Sequence, residues 1–358
     1  MISCGSSVAR GLIVLFVAAH TAPAQHGRVV TDTVSARSLT NLLGAPPKTR
    51  VSVYLPPSYD ASPQRRYPVV YLLHGFAGTD SVWLDGSPPY SMNVRVVMDS
   101  VIARGDAREM ILVMPNAWGP LGGGFYVNSR TTGDWDDFIS RDLVAYIDAK
   151  FRTLAKPESR GLAGHSMGGY GALYLGMHHG GTTYGAMYAM SACCTGRFAF
   201  DPTRDGAAWD TISSFRSSDA VWRGGFVPLV MTARSAALVP DSARPPLYFD
   251  LAEERNGAEW KTNTAVVARW DTHSPVLMVP RFRDNLLRMR AIQFDMGLED
   301  RMVPPGEIAA LDTAFAQAAV PHVFETYAGG HVDRVGERLA TRVFPFFSRV
   351  LVFEAKKE

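Results

Sequence analysis

Hydrophobic residues in this chain fall into short, dense runs separated by longer amphipathic stretches. The runs stand at "TRVSVYLP" (49–56), "PVVYLLHG" (68–75), "MILVMPNA" (110–117), "RGLAGH" (160–165), "YGAMYAMSA" (184–192), "RAIQFDMG" (290–297) and "HVFETYAG" (322–329). Several are almost continuously apolar, as strands buried on both faces are. Between them the period lengthens to three or four. In "DWDDFISRDLVAYIDAKF" (134–151), Trp135, Phe138, Ile139, Leu143, Ile147 and Phe151 form one stripe, and Asp134, Asp136 and Asp137 occupy the first turn, where the helix dipole favours acids. "PGEIAALDTAFAQAA" (305–319) and "GERLATRVFPFFSRVL" (336–351) predict two more helices, the second interrupted at Pro345. Strands alternating with helices predict an α/β fold with a mostly parallel central sheet covered by helices on both faces.

The alternation fails between residues 196 and 286, which carry Trp209, Trp222, Trp260 and Trp270 but no strand rhythm. So long a stretch is not an ordinary loop. It reads as an insertion of irregular structure and short helices lying over one end of the sheet. At the other extreme of the chain, Arg10 precedes the apolar run "GLIVLFVAA" (11–19), and the small-residue site "APAQ" follows at 22–25. That order is the pattern of an export signal cleaved after Ala24, leaving 25–358 as a single domain directed to the periplasm, the cell envelope or the medium. The apolar run falls short of the roughly 20 residues that span a bilayer, so no integral membrane segment is expected after cleavage.

Composition narrows the chemistry. With 358 residues, 47% hydrophobic and 20% charged, the chain is long enough for a substantial core, and its net charge of +2 gives no reason to expect a nucleic-acid partner. Of three cysteines, Cys4 lies in the leader and Cys193 and Cys194 are neighbours. A bridge between neighbours is strained and two adjacent thiols make a poor zinc site, so neither a disulfide framework nor a metal is expected; the pair reads as small buried residues at a strand end.

The stretch that carries chemistry is "GLAGHSMGGYGAL" (161–173). It follows a strand-like run and opens a helix-like one, so Ser166 falls on a sharp strand-to-helix turn, with Gly164 and Gly168 allowing the close packing that such a turn needs. A serine hydroxyl is a weak nucleophile without an adjacent base that is itself oriented by an acid. Among the histidines after Ser166, His178 and His179 lie on the following helix, His273 lies in the insertion and His322 begins a strand. His331 stands just past a strand end behind Gly329 and Gly330, free to reach the serine. For the acid, "FDMGLEDRMVP" offers three carboxylates: Asp300 in the loop is the choice, Asp295 reads as a buried residue satisfying loop backbone, and Glu299 faces solvent. The developing oxyanion of acyl transfer also needs amide donors, and the backbone N–H groups of Met167 and Phe76 are the candidates.

These residues resemble the esterase D-like or antigen 85-like branch of the α/β-hydrolases. The matching blocks are "YPVVYLLHGFAGTDSVW" (67–83), "FYVNSRTTGDWDDFISRDLVAYIDAKFRT" (125–153), "RGLAGHSMGGYGALYLGMHH" (160–179), "DMGLEDRMVP" (295–304) and "AGGHVDRV" (328–335). The branch includes S-formylglutathione hydrolases, feruloyl and acetyl-xylan esterases of carbohydrate esterase family one, enterochelin-esterase-like proteins and mycolyltransferases. The resemblance implies an α/β-hydrolase fold with an insertion after the strand that follows the Ser166 helix. Taken with the export pattern at the start of the chain, it implies a secreted serine esterase acting on small-molecule or carbohydrate-linked esters, with no cofactor. The family's acid is the aspartate of a G-x-x-D pattern, here Gly297 to Asp300, whereas its G-G-H-x-W aromatic is absent, Asp333 standing there instead. Acyl transfer to a sugar, S-formylglutathione hydrolysis and a non-catalytic carbohydrate-binding role are the alternatives. The four tryptophans of the insertion are the candidates for a substrate pocket, because such pockets are mostly apolar and aromatic.

Overall fold

The computed structural model describes residue 1 and residues 26–355, so the leader reading at 1–24 lies almost wholly outside the described residues. All seven apolar runs form strands: β2 (Lys48–Leu55), β3 (Val69–Leu73), β4 (Ile111–Pro115), β5 (Arg160–His165), β6 (Ala186–Met190), β7 (Ala291–Gly297) and β8 (Val323–Tyr327). An eighth, β1 (Arg28–Ser35), pairs antiparallel with β2 at the edge. Its side chains alternate around an exposed, polar strand, which leaves no dense apolar run in the sequence to betray it. The order across the sheet is β1-β2-β4-β3-β5-β6-β7-β8, parallel from β4 through β8 and antiparallel only at β1 and β2. This is the mostly parallel sheet of the α/β-hydrolase fold.

Strand periodicity divides the core. On β3, Val69, Tyr71 and Leu73 join one apolar layer, and Val70 and Leu72 join the other. The first layer is covered by α2 (135–150), α3 (Met167–His179) and, later in the chain, α10 (Pro305–Gln317); the second by α1 (Val94–Ala103) and a terminal helix α11 (335–350). Pro345 does not interrupt α11. The helix instead widens to a π-helical turn over Leu339–Val343, one of the ways a chain accommodates a missing N–H. The Thr341 carbonyl, the acceptor that a residue with an N–H at 345 would use, takes a bond from Arg342 Nη1 at 3.2 Å.

The insertion is more regular than its sequence suggests. It holds α4 (Pro202–Ser214), α5 (Ser218–Arg223), α6 (Phe226–Leu238), a hairpin of Glu253–Asn256 with Glu259–Thr262, α7 (Thr264–Asp271), α8 (Pro275–Arg281) and α9 (Arg283–Leu287). Side-chain caps explain several starts: Asp201 accepts from Thr203 N–H, Ser217 from Ala220 N–H and Asn263 from Val266 N–H. The last two helices belong to the main helical layer, because Asn285 Nδ2 donates to the Met177 and His178 carbonyls at 2.8 and 2.9 Å and so caps the C-terminus of α3.

One buried ion pair ties α11 to the sheet. Asp295, on β7, accepts from Arg338 Nη2 at 2.6 Å and from the Tyr188 hydroxyl at 2.7 Å. Its carboxylate therefore serves two side chains rather than loop backbone, correcting the expectation above; only its main-chain carbonyl holds a loop N–H, that of Ser191. Burial of the carboxyl outweighs these partners and raises it above its ordinary value. Two histidines at the carboxyl ends of the strands, His74 and His165, are also buried, and desolvation pushes them down to about 4 and about 3.

Two outcomes follow for stability. Asp295→Asn leaves a buried guanidinium short of its counter-charge and should cost about 3 kcal/mol in urea unfolding, without loss of turnover in the protein that remains folded. For the histidines, unfolded imidazoles take up protons below about pH 6.5, whereas the folded ones do so only near pH 4 and 3. Between those limits the unfolded state binds more protons, so stability is fully present above about pH 6.5 and declines as pH falls. Unfolding free energy should be flat above about pH 7 and should already be falling between about pH 6.5 and 5, above the carboxylate range; a level profile there would contradict buried, neutral imidazoles.

Candidate active site

The turn from β5 into α3 is built on absent β-carbons. A Cβ on Gly164 would lie 2.2 Å from the Gly168 carbonyl oxygen, and one on Gly168 would lie 2.0 Å from that of Leu73. Packed this tightly, the chain holds Ser166 at φ 58° and ψ −118°, a left-handed conformation that costs a non-glycine residue of order 1–3 kcal/mol. The serine's own backbone is fixed from behind: its N–H donates to the Met190 carbonyl at 3.0 Å, and its carbonyl accepts from Tyr170 and Cys193 N–H groups at 2.9 and 3.2 Å.

Two loops at the carboxyl edge of the sheet bring partners to the hydroxyl. His331 Nε2 lies 2.8 Å from Ser166 Oγ, and His331 Nδ1 lies 2.6 Å from Asp300 Oδ2. With Nδ1–H donating to the carboxylate, Nε2 is left to accept from the serine hydroxyl. The other Asp300 oxygen accepts from the Met302 and Val303 N–H groups, each at 2.8 Å. Burial works to raise the Asp300 carboxyl, but the His331 bond and these two amides outweigh it and leave the group below its ordinary value. The loop geometry again rests on a glycine, since a Cβ on Gly297 would lie 2.3 Å from the Gly329 carbonyl. Among the other histidines, His179 pairs with Asp136, His322 pairs with Asp312, and His178 and His273 pack against Tyr174, the first tilted and the second stacked, rather than at the serine. Glu299 is exposed, as expected.

Opposite the imidazole, the segment after β3 turns past the serine so closely that a Cβ on Gly75 would touch Ser166 Cβ at 3.4 Å. Ala77 N–H is anchored to the Gly122 carbonyl at 2.9 Å and Gly78 N–H to that of Gly75 at 3.1 Å, while Phe76 N–H and Met167 N–H take no protein acceptor among the described residues. Both amides are thus free for a ligand oxygen. The Gly122–Gly124 segment backs them, because side chains there would run into Phe76, Met167 Sδ and Trp135.

Two groups that hold this arrangement were given no role by the sequence. His165, inside the serine motif, has Nε2 2.7 Å from the His331 carbonyl and Nδ1 2.9 Å from the Tyr90 hydroxyl. Tyr90 in turn lies 3.3 Å from Gly75 N–H. The neutral imidazole donates to the carbonyl and accepts from the phenol, so one chain of hydrogen bonds joins the Gly75 side of the site to the His331 side.

The cleft above Ser166 has a volume of about 490 Å³, and its walls are largely apolar: Phe76, Val82, Pro89, Tyr90, Phe226, Met302 and Val332. None of the four tryptophans lines it. Trp209 and Trp270 pack on Phe198 in the insertion's own core, and Trp260 packs on Phe200. Trp222 is 40% exposed but stacks on Trp118 and donates its indole N–H to the Pro120 carbonyl at 2.8 Å, outside the cleft lining. The insertion instead contributes Phe226, 55% exposed, which meets Phe76 edge to face at 6.2 Å. Its signal in the sequence was the "GGFV" start of α6, with Gly225 at φ 91° ahead of an apolar pair. Among the described residues no cluster of His, Cys, Asp or Glu is arranged to hold a metal ion, and no helix is long and apolar enough to cross a membrane.

Known proteins share both sequence and fold with this chain. The esterase Rv1288 of Mycobacterium tuberculosis is 36% identical over 137 residues, which are 36% of this chain and 26% of the relative. An endo-1,4-beta-xylanase/feruloyl esterase of Xylanibacter ruminicola is 35% identical over 124 residues, 33% of this chain and 16% of that protein. The chain thus matches only about a quarter or less of these relatives' lengths. A solved ferulic acid esterase superposes with a TM-score of 0.61 at 25% identity, covering 91% of this chain and 99% of its own. The S-formylglutathione hydrolase FrmB of Staphylococcus aureus shares the fold at 14% identity, with a TM-score of 0.57 and coverage of 90% and 100%. The family model described as "Putative esterase" matches residues 45–341, most of the chain, and the chain belongs to that family.

Proposed function

We propose that this protein is an exported serine esterase that hydrolyses carboxylic esters through a covalent acyl-enzyme, with Ser166 as nucleophile. The observation that carries the reading is the continuous line from Ser166 Oγ through His331 to Asp300, at 2.8 and 2.6 Å. As the hydroxyl attacks the ester carbonyl, His331 Nε2 takes its proton and Asp300 holds the imidazole in the required tautomer and faces the imidazolium that forms. The carbonyl oxygen gathers charge between the Phe76 and Met167 N–H groups, a pair of donors each worth about 3–4 kcal/mol in comparable sites. His331 then returns the proton to the leaving alkoxide, and a water attacks the acyl-enzyme by the same route.

The substrate class we assign is an aromatic acyl ester carried on a carbohydrate. Support comes from the aromatic cleft walls at Phe76, Tyr90 and Phe226, together with one relative named in part as a feruloyl esterase and a structural neighbour named as a ferulic acid esterase. Export rests on the "GLIVLFVAA" run and the "APAQ" site; finding a mature N-terminus at Gln25 on protein recovered from the envelope or medium would establish it.

Ser166→Ala should abolish labelling by a fluorophosphonate probe and lower aryl-ester turnover by several orders of magnitude, about 10⁴-fold or more, with the fold intact by circular dichroism. Asp300→Asn should lower kcat by a similar order because the imidazole is left in the wrong tautomer. Wild-type labelling of a folded Ser166→Ala protein would end this assignment.

Phe226→Ala tests the cleft. It should lower kcat/KM for feruloyl esters about tenfold, the scale of losing part of an apolar pocket wall, while an acetyl ester, too small to reach that wall, is turned over as before. Equal losses on both esters would mean that Phe226 supports the loop rather than the substrate.

A further inference from the structure

Cys193 and Cys194 are unused by the chemistry above, yet they sit directly behind it. We propose that they form a redox-active thiol pair that closes reversibly to a disulfide between neighbouring residues at the back of the Ser166 turn. Both residues are half-buried, and their sulfurs already lie 2.8 Å apart. The segment is bent to allow this: Ser191 and Cys194 adopt φ values of 39° and 64°, a left-handed conformation that neither residue type favours. It is also stitched to the site, since Cys193 N–H donates to the Ser166 carbonyl at 3.2 Å and Ser166 N–H to the Met190 carbonyl at 3.0 Å.

A cation completes the setting. The Arg234 guanidinium, on α6, is near enough for its charge to act on both sulfurs. Its Nε is buried with no hydrogen-bond partner among the described residues, and the Trp270 ring centroid lies 4.8 Å from its Cζ. Glu307 is the opposing charge in the neighbourhood, and one of its oxygens is likewise unpartnered. Small core residues filling a strand end would need neither the sulfur contact nor the guanidinium. The hydrogen bond that Cys194 shares with Cys193 lowers the Cys194 thiol, burial opposes this, and Arg234 adds to the lowering. The same shared bond and burial push Cys193 up. Cys194 is therefore the thiolate that reacts first.

The oxidant is a second disulfide, on a small thiol or on a protein. Cys194 thiolate attacks one of its sulfurs, forming a mixed disulfide and releasing one thiolate. Cys193 then attacks the Cys194 sulfur, its proton passing to the second departing thiolate, so the dithiol is oxidised by two electrons while the oxidant is reduced to two thiols. Neighbouring Cα atoms stand only about 3.8 Å apart, below the roughly 4.4–6.8 Å of ordinary bridges. The product is strained and easily reduced, which makes it a labile bond and not a structural staple.

The test is mass spectrometry on the folded full-length protein. After exposure to oxidised glutathione and blocking with a maleimide, the peptide bearing 193 and 194 should have lost two hydrogens and carry no label; dithiothreitol should restore two labelled sites. In Cys194→Ser the loss should vanish, leaving Cys193 glutathionylated or singly labelled. Should that variant not fold, the reduced wild type should chelate phenylarsine oxide and release it to a dithiol but not to a monothiol. Two maleimide labels after oxidation, a sulfinic acid at either residue, a bridge between chains, or no retention of the arsenical would each overturn the proposal.

Discussion

The site depends on how closely two stretches of backbone pass each other. The Gly168 carbonyl stands where a side chain on Gly164 would begin, and the Leu73 carbonyl stands where one on Gly168 would. That contact forces α3 to start directly on the end of β5. It leaves Ser166 in a conformation the residue would not choose, with its hydroxyl above the strand ends and the first amide of α3 without an acceptor. The remaining pieces are brought to a position already fixed: the Gly75 segment from β3, the Asp300 loop from β7 and the His331 loop from β8.

What could be read from the sequence was whatever local backbone geometry constrains. The Ser166 turn announces itself because its glycines are obligatory at fixed offsets, and His331 because a pair of glycines after a strand frees it to reach across. Asp300 was separable from Asp295 by position alone, one in a loop and one inside an apolar strand. Dense strands such as "VVYLL" declared themselves as doubly buried, whereas β1, polar and on the edge, did not. Tryptophan misled, since a large ring reports burial far more often than binding: Trp209 and Trp270 are core of the insertion, and the aromatic that enters the cleft is Phe226. Tyr90 and His165 could not have been paired from sequence because their contact spans 75 residues, and that of His165 with the His331 carbonyl spans 166. Nothing short-range records such partners.

The insertion serves two purposes that its sequence does not separate. Its final helices, α8 and α9, are scaffold: Asn285 closes the end of α3, so the helix that begins at the serine is capped by residues over a hundred positions later. Its middle reaches the cleft through the exposed start of α6. A swap of the middle segment could change which ester fits while the capping end keeps α3 in place. Arg234 belongs to the same α6, so the helix that places Phe226 in the cleft wall also carries the guanidinium beside the cysteine pair.

Tyr90 and His165 give the site a polarity that outlasts any ligand. Gly75 N–H points at the phenol oxygen, the phenol proton at one ring nitrogen, and the other ring N–H at the His331 carbonyl, so every donor in the chain faces the same way. The chain acts as a strut of fixed length between the amide side and the imidazole side, and neither wall can shift without breaking a buried bond. Esters of different size would then meet the same reacting geometry, and discrimination among them would fall to Phe76, Phe226, Met302 and Val332, the apolar side chains that project into the space the strut holds open.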